Sequence, residues 1–264
     1  MPRRPSRVPG TLLVLLALLG MAGCTGSSGG SDSARAGDGA GHEIVVFAAA
    51  SLTGAFTEIG RRFEAEHPGT KVTLNFAGSS SLLAQLAEGA PADVFAAADE
   101  ATMARLNATG GVAGSPTVFA TNELAIIVAP GNPEAVRSLA DLARPGLLVV
   151  LAAIQVPAGA YAQQALDRAR VALTPVSREN DVKAVAAKVV SGEVDAGIVY
   201  RTDVEAAGGR AVGVAIAADL NVTARYPIAV TADATHPAAA ASFVTLVTGP
   251  LGQDILARAG FGPP

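Results

Sequence analysis

Two long extended segments, about a hundred residues apart, constrain this chain more than any other feature. "TVFATNELAIIVAP" begins at Thr117 and reads as one strand over Val118 to Val128; "ARYPIAVT" begins at Ala224 and has the same character. Before, between and after them, short apolar strands alternate with helical patterns, the arrangement that gives α/β layers around largely parallel sheets. A chain that leaves one set of layers by a long strand and returns by another builds two lobes. The expected division is residues 43–121 plus 225–264 for lobe 1 and 122–224 for lobe 2. A small ligand is expected in the cleft between them.

The individual elements follow from their periods. "EIVVFAAA" is a strand, and Leu52, Ala55, Phe56, Ile59 and Phe63 recur at helical spacing from Leu52 to Glu66. "HPGT" breaks that helix and "KVTLNFA" is the next strand. "SSSLLAQLAEG" reads as a Ser-capped helix, "ADVFAAA" as a strand, and a further helix runs from Asp99 to Asn107. In the inserted part, "LLVVLAA", "VDAGIVY" and "AVGVAIA" are strands, while "GAYAQQALDRARV" and "NDVKAVAAKVVSGE" are helices. Two helices, "HPAAAASFVTLVTG" and "PLGQDILARAG", close the chain. Half of the 264 residues are apolar, yet only 4% are aromatic and none is Trp. The cores must therefore be built mainly from Ala, Val, Leu and Ile.

The first 23 residues differ in kind. Arg3, Arg4 and Arg7 precede the apolar run "TLLVLLALLGMAG", which matches the core of a signal peptide. At about 13 residues the run is too short to span a bilayer as a helix. It ends at Cys24, the chain's one cysteine, and "LLGMAGC" resembles a lipoprotein processing box with Met21 in the position usually held by Leu. A single cysteine also excludes an intramolecular disulfide. "TGSSGGSDSARAGDGAG" follows and has too little apolar content for a core, so residues 24–42 read as a lipidated cysteine with a flexible tether. The expectation is a domain exported and held at the outer face of the cell membrane. Removing the leader takes away three arginines and no acid, moving the formal charge from −4 to −7. This acidic balance, without a basic-aromatic stripe, argues against a nucleic-acid partner.

Four segments share one design, a strand or turn ending in small polar residues followed by a helix start: "AAASLT", "FAGSSSLL", "VPAGAY" and "SRENDVKAV". The first N–H groups of a helix lack an intrahelical acceptor, and the helix dipole is positive there, so each start can hold an anion. Ser51 is also a favoured N-cap type, which gives it a purely structural reading as well. Ser79, Ser80 and Ser81 are equivalent by spacing. The N–H of Ala158 is a candidate donor, with Pro157 stiffening its approach and Gly159 supplying flexibility. Asn180 or Asp181 caps the next helix, leaving the N–H of Val182. "GIVY" ends a strand on Tyr200, whose phenol can donate across a cleft.

Enzymatic readings have less support. His42, His67 and His236 lack metal-ligand spacing, and no G-x-S-x-G, H-E-x-x-H or P-loop motif occurs. No histidine is placed to act as base for the clustered serines. Asp93 and Asp99 suit strand-end or capping roles better than an acid–base pair. "NVT" at Asn221 matches a glycosylation sequon, of little meaning behind a bacterial type of leader.

"FAAASLT", "FAGSSSLLAQLAEGAPADVFAAAD", "VPAGAYAQQAL", "ENDVKAV" and "GIVY" occur in an order that resembles the molybdate-binding proteins of bacterial ABC importers, over about Glu43 to Phe261. The resemblance implies a two-lobed type II periplasmic-binding-protein fold, a non-enzymatic role, and a monomer that captures molybdate or tungstate for a membrane permease. It implies no cofactor and no metal held by direct protein coordination. Carried over by position, it makes Ser51 and Ser79 hydroxyl and N–H donors, Ala158 and Val182 N–H donors, and Tyr200 a hydroxyl donor. It thereby selects Ser79 over its neighbours. Gly78 and Ile154 depart from the pattern, standing where many relatives have serine, and proline or a polar residue.

Such a donor set suits a tetrahedral dianion that can only accept hydrogen bonds. Neutral dipoles compensate a buried charge when every oxygen is partnered. Protonated phosphate must also donate, and a site without a facing carboxylate disfavours it. Sulfate has molybdate's charge and shape but is smaller, so its exclusion rests on pocket size. A binder of sulfate or another tetrahedral oxyanion is the alternative reading.

Overall fold

The computed structural model describes residues 42–264. The expected leader over 1–23 and the tether with Cys24 lie outside the described residues, except for His42. Strand β1 (Glu43–Ala49) is covered on both faces. Ile44, Val46 and Ala48 join one apolar layer and Phe47 another, the two-residue alternation of a strand with helices on either side. A 3₁₀ turn over Ala50–Leu52 leads into α1 (Thr53–Glu66). Phe56, Ile59 and Phe63 line the buried face of α1. Phe56 meets Phe119 and Phe243 with ring centroids 5.7 and 6.1 Å apart.

β2 (Lys71–Ala77) and β3 (Val94–Ala96) flank β1, both parallel to it, and α2 (Ser79–Ala87) and α3 (Glu100–Ala108) follow them. β4 (Val112–Val128) is 17 residues long and changes partners midway. Residues up to Glu123 pair with β9 (Thr223–Thr231), while Leu124–Val128 pair with β7 (Ala196–Tyr200) and Ala125–Val128 also with β8 (Val212–Ala215), all antiparallel. Between these come β5 (Val149–Ala152), α4 (Pro157–Arg168), β6 (Ser177–Glu179), α5 (Val182–Val190) and α6 (Arg201–Ala207). α7 (Pro237–Thr248) and α8 (Pro250–Arg258) end the chain.

The strands run in the order β2-β1-β3-β9-β4-β7-β5-β6, with β8 also on β4. The strands joined by crossover helices are parallel, as expected: β1 with β2 and β3, and β5 with β6 and β7. The crossing strands bring antiparallel pairs with them, because a strand that returns must run against the one that left. Where the chain crosses back, the Asn221 amide donates to the Leu124 carbonyl at 2.9 Å and accepts from the Leu124 N–H at 3.1 Å. The sequon asparagine thus ties the returning segment to the outgoing strand.

Some local features differ from the sequence reading. Leu52, not Ser51, is the N-cap of α1, because the 3₁₀ turn comes first and places Ser51 inside it. Ser79 is the first residue of α2 and Gly78 its cap, so no side chain caps that helix. α6, β6 and a 3₁₀ turn over Leu139–Ala143 were not anticipated; each is too short to carry a period. Asp99 does cap α3, accepting from the Thr102 N–H at 3.1 Å. Among the described residues no helix is long and apolar enough to cross a membrane.

Asp93 is buried and takes a structural role. Its carboxylate accepts from the Val45 N–H at 2.8 Å and from the His236 N–H at 3.0 Å, joining β1 to the start of α7. Asp93→Ala leaves two backbone donors without acceptors. It is expected to lower unfolding free energy by about 2–4 kcal/mol, read from urea titration; a change within error would mean that water replaces the carboxylate.

Candidate functional site

One small cavity is lined by Ala49, Ser51, Gly78, Ser79, Ala98, Val156, Pro157, Ala158, Val182 and Tyr200. All five residues singled out from the sequence, Ser51, Ser79, Ala158, Val182 and Tyr200, are among them. They come from the carboxyl ends of five different strands or the segments just after them, and Ala98 adds a sixth. Ala49 and Ala98 present methyl groups where larger side chains would fill the space, which accounts for the loss of bulk at the ends of β1 and β3.

The polar groups are held by their own neighbours. Ser79 is buried and its Oγ accepts from the Ala98 N–H at 3.0 Å, so its hydroxyl proton is available for another acceptor. Ser51 Oγ lies 3.0 Å from the Tyr226 hydroxyl, both buried. Asp181 caps α5 by accepting from the Ala184 N–H at 2.9 Å. That leaves the N–H of Val182, the first residue of α5, without an intrahelical acceptor. Ala158 occupies the second position of α4 behind Pro157, whose missing N–H costs nothing there.

Tyr200 is 1% exposed, and its hydroxyl has no hydrogen-bond partner among the described residues. A buried, unpartnered hydroxyl is uncommon in native proteins and calls for a partner from outside the chain. Burial, reinforced by Tyr226, Tyr161 and nearby carboxylates, pushes its pKa well above the ordinary value, so the group stays a neutral donor.

Two glycines allow the segments to meet. A β-carbon on Gly78 would fall on the Asn180 carbonyl oxygen, so only glycine lets the start of α2 reach the segment before α5. Gly159 has a similar role: a β-carbon there would overlap the carbonyls of Ala152 and Ala153. Its contribution is close approach of α4 to β5, not the flexibility inferred from sequence. Ile154 is 57% exposed and does not line the cavity.

Among the described residues, none with a charged side chain lines this cavity. Asp203 is buried nearby, accepting from the Tyr200 N–H at 3.1 Å and paired with Lys183 at 3.0 Å. Burial raises its pKa in spite of Lys183. No group of three or more His, Cys, Asp or Glu among the described residues is placed to hold a metal ion. The free room in it is about 10 Å³. That is at most about the room of one water molecule and far below the roughly 300–1,000 Å³ of sites for larger organic ligands.

The chain matches the model for bacterial extracellular solute-binding proteins over residues 44–262 and belongs to that family. It is 46% identical over 221 residues to the molybdate-binding protein ModA of Mycobacterium tuberculosis, covering 84% of this chain and 85% of that protein. Among solved structures, the sulfate-binding protein SubI from the same organism has a TM-score of 0.73 at 23% identity, covering 84% of this chain and 87% of that one. The periplasmic molybdate-binding protein of Azotobacter vinelandii has a TM-score of 0.70 at 23% identity, covering 84% and 99%. The expected periplasmic-binding-protein fold is what these structures share with the chain.

The chain's three tyrosines all have raised pKa values, with burial the leading cause at each. An acid whose folded pKa is raised contributes stability fully present below its unfolded value, near 10.0, and lost as pH rises further. Phenolate absorbance is therefore expected to stay low past pH ~10 and to rise together with loss of the folded circular-dichroism signal. Full phenolate absorbance in the still-folded protein would contradict the burial described.

Proposed function

We propose that this protein captures molybdate outside the cytoplasm and presents it to the permease of an ABC importer. One observation carries the reading: a small cavity lined by neutral donors, one of them a buried tyrosine hydroxyl without a partner. The 46% identity to a molybdate-binding protein supports the choice of ion. In this reading Ser51 and Ser79 donate hydroxyl and backbone protons, Ala158 and Val182 donate backbone N–H groups, and Tyr200 donates its hydroxyl. A tetrahedral dianion accepts all of them, and the starts of several helices add their positive ends.

The two-lobe division belongs to the same proposal. Ser51 and Ser79 lie in the portion formed by 43–121 plus 225–264, and Ala158, Val182 and Tyr200 in 122–224. An ion held by both draws them together, with hinges where β4 changes partners and where Asn221 brackets Leu124. Tungstate, nearly the same size as molybdate, is expected to bind too, and sulfate, being smaller, to leave some donors out of reach. The protein acts as a monomer without a cofactor. Cleavage after residue 23 and lipidation of Cys24 would anchor it at the outer face of the membrane through the tether. Metabolic labelling with a fatty-acid probe is expected to mark the wild-type chain and not Cys24→Ser; equal labelling of both would remove the anchor.

Calorimetric titration with molybdate, tungstate and sulfate tests the central reading. Heat is expected with the first two, with sulfate at least tenfold weaker; tight sulfate binding with no molybdate signal would support the alternative oxyanion. Ser51→Ala and Ser79→Ala are each expected to weaken binding by about 1–3 kcal/mol, the value of a hydrogen bond to a charged group, with the thermal transition of the ligand-free protein retained. Loss of folding in both, without a separable binding effect, would assign the serines to structure alone.

A further inference from the structure

We infer that Tyr226 is a positioning residue that fixes the direction in which Ser51 gives its proton. The inference rests on the proposed role of Ser51 toward an anion and goes beyond it. Tyr226 sits on β9, is fully buried and does not line the cavity, so it acts from behind. Its hydroxyl lies 3.0 Å from Ser51 Oγ. Its ring is enclosed by Phe119, Phe261 and Tyr200, with centroids 6.3, 5.4 and 5.9 Å away, all edge-on or tilted. A ring held on three sides keeps its hydroxyl in one place.

A serine hydroxyl has one proton, and in the empty site the Ser51–Tyr226 bond can run either way. An acceptor-only guest removes that freedom. Ser51 must then donate into the cavity, and Tyr226 must donate to Ser51. Burial raises the Tyr226 pKa, so its proton stays in place. Chains of this kind strengthen each bond in them, because every donor is polarised by the one behind it.

A double-mutant cycle tests this on the full-length protein with molybdate as the probe. Tyr226→Phe keeps the ring and is expected to weaken binding about tenfold, with the thermal transition of the ligand-free protein within a few degrees of wild type. In a Ser51→Ala background the same change is expected to have no further effect, since there is nothing left for Tyr226 to orient. An unchanged affinity in Tyr226→Phe, or an equal loss in both backgrounds, would overturn the inference. Wild-type protein that fails to bind molybdate would instead remove the functional reading beneath it. If Tyr226→Phe does not fold, proton NMR of carbon-labelled tyrosine in otherwise native protein decides. Molybdate should slow exchange of the Tyr226 hydroxyl proton in wild type and not in Ser51→Ala; slowing in both, or in neither, would overturn it.

Discussion

Parallel strands end at the same edge of a sheet, and on that geometry the rest of this structure depends. Six parallel strands, β1, β2, β3, β5, β6 and β7, are each followed at their carboxyl ends by a helix start. Every one of those six junctions contributes to the cavity. Ligands of open α/β sheets lie outside the carboxyl ends of strands for the same reason. Here the two sets of ends face one another because β4 carries the chain from one set of partners to the other without a break.

Much of this was legible in the sequence because helix starts leave a local signature. Small polar residues before an apolar period marked Ser51, Ser79, Ala158 and Val182, and a strand ending on a phenol marked Tyr200. What such signatures could not convey was how the junctions are satisfied. Spacing left Ser79, Ser80 and Ser81 equal; in the structure only Ser79 is fully buried and bonded to Ala98, which ranks them by packing across strands. Ser51 read equally well as a cap, and the 3₁₀ turn that displaces it depends on how β1 meets α1. Tyr226 gave no signal because its partner is 175 positions away in the chain.

Residue economy follows the same lines. With aromatics so scarce, their grouping is informative: Phe56, Phe63, Phe119, Phe243, Tyr226, Tyr200 and Phe261 form a connected set of ring contacts that reaches the cavity at Tyr200. Stiff, two-torsion side chains stand where a hydroxyl must be held still, and alanines where room is needed. The cavity itself is lined by small side chains, two valines, a proline and the one ring of Tyr200, with no long flexible side chain among them.

Charge is arranged around the cavity and kept out of it. Asp99 and Asp181 each sit one residue from a lining group, yet each carboxylate is engaged by an N–H further along its own helix. They satisfy later donors and leave the earlier ones open. Lys183, next to Val182, is paired with Asp203 and so offers no unpaired cation to an anion. A lysine or arginine in the cavity would attract anions of many shapes through a long-range, nearly non-directional force. Neutral donors act only at hydrogen-bond distance and good angle. Their summed attraction is large for a guest that reaches all of them and falls steeply for one that misses two or three. On the proposed reading, discrimination by size rests on these neutral donors and on the rings and glycine-mediated contacts that hold them in place.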